Sequence, residues 1–171
     1  MKIEKNEVKK FLASWTKGVI EIGKAHEEQK NFTEVAINFL NHHYAFEEDD
    51  VMFKPTFTSI RLFRNNFDEA LSYFIAGSFD EDNGFALKPW AKIELDEEPN
   101  IRLIDDCAYA MGSLNFYPLK SEDYSKVVFT FILKKFLNNL KLILHHSSQV
   151  PISKLQFNDW VGGYFNLYLP I

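Results

Sequence analysis

The chain changes from helical to strand-like periodicity after its first third, and this order most limits the folds open to it. A first amphipathic helix is predicted over about residues 6–28, and its apolar stripe is Val8, Leu12, Trp15, Val19 and Ile22. A second helix begins near Asn31, where Asn31 and Glu34 form a capping pattern. Strand-like segments fill most of the chain after residue 84. Helices followed by strands indicate an α+β domain rather than a parallel α/β sheet.

The predicted strands are short and separated by turn residues. A strand at residues 51–53 ends at Pro55, because proline cannot donate to a sheet ladder, and a short helix follows at residues 68–75. Four longer strand segments are predicted at residues 84–95, 101–117, 126–136 and 140–146. Asn138 and Asn139 are predicted to turn the last hairpin, because asparagine tolerates the positive φ angles that such a turn requires.

Composition narrows the class of protein. Apolar residues make up 46% and charged residues 25% of the 171 residues, which excludes a disordered or low-complexity chain. A net charge of -5 argues against a nucleic-acid partner, and the chain lacks the roughly 18 consecutive apolar residues of a membrane span. The single cysteine, Cys107, excludes an internal disulfide and a multi-thiolate zinc site. No signal-peptide pattern is visible, so the expected location is cytoplasmic.

The densest group of reactive side chains ends the last predicted strand: His145, His146, Ser147 and Ser148. Adjacent strand residues point to opposite faces, so the two histidines cannot readily chelate one metal ion together. With Leu142 and Leu144 assigned to the core face, the strand period places His146 and Ser148 on that inner face. The other two residues are then expected to face away. From spacing alone, a polar strand end without function remains the alternative.

Two adjacent carboxylates are a second candidate for chemistry. Asp105 or Asp106 would serve as a general base if it faced a cavity, as in some isomerases. The neighbouring polar residues at 97–100 favour a loop between strands instead.

Eight short segments carry a family resemblance, at residues 15–25, 53–56, 63–64, 70–74, 82–90, 110–112, 130–131 and 145–148. In this order they resemble the iota class of carbonic anhydrases, whose domain belongs to the superfamily of the calcium/calmodulin-dependent kinase association domain. The resemblance covers about residues 15–151, and the tail at residues 154–171 matches nothing in the family.

The resemblance implies a fold and an activity. The fold is an NTF2-like cone, in which N-terminal helices pack into a strongly curved antiparallel sheet around a cavity, as a single domain over residues 1–171. The activity is the reversible hydration of carbon dioxide to bicarbonate. Members of the family are described both as zinc- or manganese-dependent and as metal-free. No cofactor is expected here, because no thiolate or carboxylate ligand set is spaced around the histidines.

The resemblance also implies a metal-free site. Carried over onto this chain, the site consists of Thr56, Tyr73, His146 and Ser148. The hydroxyl groups would position water and the bicarbonate oxygens, and His146 would accept a proton or orient the water. The second choices for the same site or its support are His145, Ser147 and Thr130.

Other functions of this superfamily remain open at this point. One is a non-enzymatic association or ligand-binding module, and another is a SnoaL-like isomerase or cyclase that uses Asp105 or Asp106 as its base. The broad sheet face of such a cone also predicts a homodimer or a larger homo-oligomer.

Overall fold

A computed structural model describes residues 2–120, 123–137 and 139–150. The described residues form three helices and six strands. In chain order these are α1 (Lys5–Glu27), α2 (Phe32–His43), β1 (Met52–Lys54), α3 (Phe67–Ile75), β2 (Trp90–Leu95), β3 (Asn100–Ile104), β4 (Cys107–Pro118), β5 (Ser125–Phe136) and β6 (Asn139–Val150). The α+β class is therefore confirmed.

The first two helices lie where their periodicity predicts them. The Asn31 side chain caps α2 by accepting a 3.2 Å hydrogen bond from the Glu34 backbone N–H. All five stripe residues of α1 are at most 3% exposed: Val8, Leu12, Trp15, Val19 and Ile22. Trp15 packs edge-on against Phe131 of β5, with ring centroids 5.9 Å apart. The stripe therefore packs against the sheet, as predicted.

The sheet is mixed rather than wholly antiparallel. Its strand order is β1-β6-β5-β4-β2, and β3 also pairs with β4. Every pair is antiparallel except β1 with β6, which is parallel. The Ala45 backbone N–H donates to the Leu142 carbonyl oxygen at 3.0 Å, so the chain already runs beside β6 before β1 begins. The predicted sheet was antiparallel throughout, so the parallel pairing of β1 with β6 corrects that prediction.

The predicted strand at residues 101–117 is in fact a hairpin. Asp105 and Asp106 form its turn between β3 and β4, and Asp105 takes a positive φ of 53°. Aspartate tolerates this conformation better than most residues. Both carboxylates are exposed, so neither faces the interior as the isomerase hypothesis requires.

The last hairpin turns one residue earlier than predicted. Phe136 pairs with Asn139, so Asn139 is the first residue of β6 rather than part of the turn. Leu137 takes the positive φ, at 52°. The cross-strand register, which the local sequence does not contain, sets this position.

A β-bulge in β6 reverses the direction of the side chains that follow it. Leu142 pairs with Leu133 and Leu144 pairs with Ile132, which leaves Ile143 as an extra residue between them. One extra residue moves all later side chains to the other face of the sheet. Leu142 is fully buried, whereas Leu144 is only half-buried. The prediction that both leucines face the core is therefore wrong for Leu144.

Within the described ranges, no helix is long and apolar enough to cross a membrane. The cytoplasmic location and the single domain over residues 1–171 remain predictions. The predictions for Asn138 and for the tail at residues 154–171 fall outside the described residues.

Candidate active site

The bulge brings His145 and Ser147 into the interior. Their side chains are 4% and 6% exposed, and they pair across the sheet with the buried Phe131 and Phe129. By contrast, His146 is exposed and Ser148 is half-buried on the opposite face. The prediction that His146 and Ser148 face the core was therefore wrong, because simple alternation from Leu142 does not include the extra residue.

A small cavity of about 20 Å³ lies between the helices and the sheet. Its polar wall consists of Thr56, Tyr73, His145 and Ser147. Its other walls are apolar and mostly aromatic: Trp15, Phe74, Phe85, Leu114, Phe116, Val127, Phe129 and Phe131. A polar cavity of this size has room for about one water molecule.

The structure brings together four of the seven predicted site residues. Thr56 and Tyr73 were first choices, and His145 and Ser147 were second choices. The remaining second choice, Thr130, pairs with His146 and lies with it on the opposite face of the sheet. Thr130 is therefore outside the cavity, as are His146 and Ser148.

Thr56 and Ser147 form the hydroxyl pair of the cavity. The Thr56 Oγ1 donates a 2.9 Å hydrogen bond to the Ser147 Oγ. Thr56 lies two residues beyond β1, and Lys54 at the end of β1 pairs with His146. The parallel β1–β6 pairing therefore places the two hydroxyl groups side by side. Because the Ser147 oxygen accepts from Thr56, its own hydrogen remains available to another acceptor.

Tyr73 contributes a phenol from α3. Its ring stacks on Phe85, with centroids 5.4 Å apart and planes 17° apart. Burial raises the pKa of the Tyr73 phenol, although the backbone of Phe57 and Thr56 hydrogen-bonds to it and opposes the shift. The phenol therefore keeps its proton at neutral pH and can donate a hydrogen bond into the cavity.

His145 lies in an aromatic enclosure. Its ring centroid is 4.6 Å from that of Phe53 and 4.5 Å from that of Phe131. Burial, together with a smaller effect of the neighbouring His146, lowers the pKa of His145 to about 3. The imidazole is therefore neutral at physiological pH. A histidine that titrates near neutrality, as predicted for the proton acceptor, does not occupy this cavity.

A buried ion network joins the loop that carries Thr56 to α3. Arg64 is fully buried, and its Nη2 donates to Asp82 at 2.9 Å and to Glu81 at 3.1 Å. Ser72, adjacent to Tyr73, donates to the second Asp82 oxygen at 2.7 Å. Arg64 and Asp82 were not predicted to support the site, although both lie in segments that carry the family resemblance.

The Glu81 side chain holds the same loop by binding the backbone N–H groups of the loop. Its carboxylate accepts the backbone N–H groups of Ser59, Ile60 and Arg61 at 2.9, 2.9 and 2.8 Å. These three bonds keep the pKa of Glu81 far below its usual range. An ionised carboxylate is therefore a structural part of the loop.

A larger surface pocket of about 350 Å³ adjoins the cavity. Tyr73 and Phe85 line both spaces. Phe57, Lys88 and Trp90 contribute to the outer pocket. The stacked Tyr73 and Phe85 rings are therefore part of the wall between the cavity and the surface.

The donor set of the cavity does not fit a zinc or manganese ion. It offers two aliphatic hydroxyl groups, one phenol and one imidazole, whereas such ions are held by several thiolate, imidazole or carboxylate groups. One imidazole nitrogen, His145 Nδ1, is already 2.8 Å from the Tyr44 hydroxyl oxygen. In the part of the chain that the structure describes, no cluster of three or more histidine, cysteine or acidic residues is placed to hold a metal ion.

Comparisons with known sequences agree with this donor set. The family model described as metal-independent carbonic anhydrase matches residues 6–149. A metal-independent carbonic anhydrase from Nostoc sp. (strain PCC 7120 / SAG 25.82 / UTEX 2576) is 28% identical over 151 residues. That match covers 85% of this chain and 73% of the relative.

Comparisons of structure identify the same relatives. The crystal structure of the iota-carbonic anhydrase from a cyanobacterium, complexed with bicarbonate, matches with a TM-score of 0.82 and 28% identity, over 90% of this chain and 95% of that chain. A putative calcium/calmodulin-dependent protein kinase II association domain from Xanthomonas campestris matches with a TM-score of 0.62 and 21% identity, over 88% and 91% of the two chains.

An NTF-2-like protein of unknown function from Shewanella oneidensis MR-1 matches with a TM-score of 0.51 and 20% identity, over 84% of this chain and 97% of that chain. These structural matches confirm the predicted NTF2-like fold, and the family match confirms the predicted resemblance. The chain belongs to the metal-independent carbonic anhydrase family, whose reaction is the reversible hydration of carbon dioxide to bicarbonate.

Proposed function

We propose that the chain hydrates carbon dioxide in the 20 Å³ cavity, with Thr56, Tyr73, His145 and Ser147 as the residues that hold water and bicarbonate. The observation that carries this proposal is their convergence. A loop, α3 and β6 each bring polar side chains to one cavity whose other walls are apolar. His145 and Ser147 thus replace His146 and Ser148 as the site residues of the last strand.

The cavity suits both the apolar substrate and the charged product of the reaction. Its aromatic walls favour an apolar gas over bulk water. The water oxygen attacks the carbon of carbon dioxide, one C–O π bond breaks, and its electron pair becomes the negative charge of bicarbonate. The proton that the water loses passes to solvent, so that carbon dioxide and water yield bicarbonate and one released proton. Preorganised hydrogen-bond donors at the oxygen where this charge develops stabilise the transition state. The Ser147 hydroxyl and the Tyr73 phenol are placed to act as such donors.

His145 is assigned a hydrogen-bonding role rather than that of a proton acceptor. Its pKa of about 3 makes it a weak base, because the buried site disfavours the imidazolium ion. A histidine was predicted to accept the proton because histidine ordinarily titrates near neutrality. The proposal assigns no such general base to His145.

Substrate entry requires a side chain to move. A cavity of about 20 Å³ holds about one water molecule, which is too small for bicarbonate. Phe85 and Tyr73 separate this cavity from the outer pocket, and the outer pocket has the free volume to receive a displaced ring. We therefore assign the entry path to this wall.

The test is a stopped-flow measurement of carbon dioxide hydration on chelator-treated protein, with zinc and manganese added back separately. We expect activity without either metal. Tyr73→Phe should lower kcat/KM about 10²-fold, since loss of one oxyanion donor typically costs 10²–10³-fold. Tyr117→Phe is the matched control, because the half-buried Tyr117 stacks on Tyr124 outside the cavity. Metal-dependent activity, or full activity of Tyr73→Phe, would contradict the proposal.

The outer face of the sheet supports the proposal of a homodimer. Met52 and Met111 are 57% and 56% exposed on this face. Met52, Leu144 and Ile132 are aligned across β1, β6 and β5, so the apolar surface is continuous. Exposed apolar surface that extends over several strands often marks an interface.

Light scattering tests the dimer. We expect a mass of twice the 20.0 kDa chain, and a shift towards the monomer in the Met52→Glu variant. A 20.0 kDa particle at micromolar concentration of the wild-type chain would contradict the dimer.

A further inference from the structure

We propose that Tyr44 is a positioning residue for catalysis: together with Trp15 it fixes His145 in the tautomer that carries its proton on Nε2, so that His145 donates a hydrogen bond into the cavity. The catalytic consequence rests on the proposed function. The assignment of the tautomer rests only on the hydrogen bonds that link three buried side chains.

Two hydrogen bonds link the indole N–H of Trp15, which can only donate, to the imidazole of His145 through the Tyr44 hydroxyl. The Trp15 Nε1 donates to the Tyr44 hydroxyl oxygen at 3.3 Å, and this oxygen lies 2.8 Å from the His145 Nδ1. The indole nitrogen has only a hydrogen to offer, so the direction of the first bond is fixed. The second bond has two formal directions, and the position of the tyrosine proton decides between them.

Only one direction gives the hydrogen of the Tyr44 hydroxyl an acceptor. If His145 Nδ1 carried a proton, the Tyr44 oxygen would accept from both neighbours. Its own hydrogen would then be buried without an acceptor, since among the described residues the Tyr44 hydroxyl forms hydrogen bonds only with Trp15 and His145. Such unsatisfied buried donors are strongly disfavoured. Tyr44 therefore donates to a bare Nδ1, and the neutral imidazole holds its hydrogen on Nε2.

Burial makes this arrangement permanent at physiological pH. Trp15, Tyr44 and His145 are 3%, 1% and 4% exposed. Burial raises the pKa of the Tyr44 phenol, so its hydroxyl always has a proton to donate. Burial also lowers the pKa of His145 to about 3, so the ring does not become doubly protonated.

The remaining nitrogen is the one available to the substrate. His145 lines the cavity and Tyr44 does not, so the Nδ1 edge is turned towards Tyr44 and away from the cavity. Phe53 and Phe131 pack around the ring and offer no strong acceptor for Nε2. The imidazole thus joins Tyr73 as a neutral donor at the place where bicarbonate charge develops.

Nitrogen NMR of protein labelled with ¹⁵N-histidine measures the tautomer directly. The His145 signals are assigned by their loss in His145→Gln. In the wild type at pH 7 we expect a protonated Nε2 and a bare Nδ1. Tyr44→Phe removes the hydroxyl that keeps Nδ1 bare, so His145 is no longer held in one tautomer and orientation. We expect the ¹⁵N signals of His145 to shift towards a mixture of the two tautomers, with a fall in kcat of about 10-fold or more. The order of magnitude follows from other enzymes in which the orienting partner of a histidine is lost. Tyr117→Phe should leave both readouts unchanged.

A wild-type spectrum with a protonated His145 Nδ1 would overturn the proposal, whatever the result for Tyr44→Phe. A changed tautomer in Tyr44→Phe with unchanged kcat would overturn its catalytic consequence. Failure of the proposed function has a different signature. In that case Tyr73→Phe would retain full hydration activity, while the tautomer of His145 would still be read from the spectrum.

Discussion

Thr56 Oγ1 lies 2.9 Å from Ser147 Oγ, and this hydrogen bond joins the loop after β1 to the centre of β6. The two residues are 91 positions apart in the chain. The contact exists because β1 runs parallel to β6 and because the bulge at Ile143 turns Ser147 inward. It orients a hydroxyl pair on the polar side of an otherwise apolar cavity.

Removal of the Thr56 hydroxyl should impair catalysis more than folding. Thr56→Val keeps the shape of the side chain but leaves Ser147 without its donor, so the Ser147 hydroxyl is free to rotate. We expect kcat/KM for carbon dioxide hydration to fall about 10- to 100-fold, since a preorganised donor is lost or misdirected. Thr56→Ser retains the hydroxyl and should recover most of the activity. Equal activity in Thr56→Val and the wild type would show that the pair has no catalytic role.

Gly23 sets how closely α1 approaches the segment before β2. A Cβ at this position would lie 2.8 Å from the Ala86 carbonyl oxygen and 3.0 Å from that of Lys88. Gly23→Ala should therefore destabilise the fold by about 1–3 kcal/mol, despite the higher helix propensity of alanine. Urea unfolding measures this change. Lys17→Ala, at an exposed position of the same helix, should stay within about 0.5 kcal/mol of the wild type.

Asp82 neutralises a fully buried guanidinium group. Asp82→Ala would leave Arg64 with Glu81 as its only carboxylate partner among the described residues. It would also remove the acceptor of the Ser72 hydroxyl. We expect a loss of about 3–5 kcal/mol in the free energy of unfolding, the typical result of breaking a buried ion pair. Asp80→Ala, at an exposed neighbouring position, should have little effect. If the two variants were equally stable, the network would not be what holds the loop.

Two buried histidines should make the protein lose stability in mild acid. Burial lowers the pKa of His43 to about 4 and that of His145 to about 3, from an ordinary value of 6.5. The unfolded chain then binds protons that the native state does not. Stability is therefore complete above about pH 6.5 and decreases towards pH 4, by up to roughly 1.4 kcal/mol per pH unit for each histidine.

Urea unfolding between pH 7.5 and 4.5 measures this slope. His43→Gln should reduce it by about half, whatever its effect on stability at pH 7.5. A wild-type free energy of unfolding that stayed constant over this range would contradict the burial of both imidazoles.

The helical part of the fold could be predicted because its determinants are local. The stripe from Val8 to Ile22 and the Asn31 cap depend on residues within a few positions of each other. The order of helices and strands, together with the family segments, then indicated the NTF2-like fold. Thr56 and Tyr73 lie in two of these segments, and the structure places both in the cavity. Their catalytic role remains a proposal.

The direction of the side chains on the last strand could not be predicted in the same way. Strand alternation is reliable only while the register is regular, and the extra residue at Ile143 appears only when β5 and β6 are paired. The same holds for the parallel β1–β6 edge and for the turn at Leu137, which depend on contacts between distant segments. One bulge therefore decided which histidine and which serine enter the cavity.

A comparison of Ser147→Ala with Ser148→Ala tests the central claim most directly. The two residues are adjacent and chemically identical, and both substitutions remove one hydroxyl, but Ser147 lines the cavity and Ser148 lies on the opposite face. Stopped-flow hydration of carbon dioxide should show kcat/KM lowered about 10²-fold in Ser147→Ala and near the wild-type value in Ser148→Ala. The reverse pattern, or wild-type activity in Ser147→Ala, would contradict the assignment of this cavity as the active site.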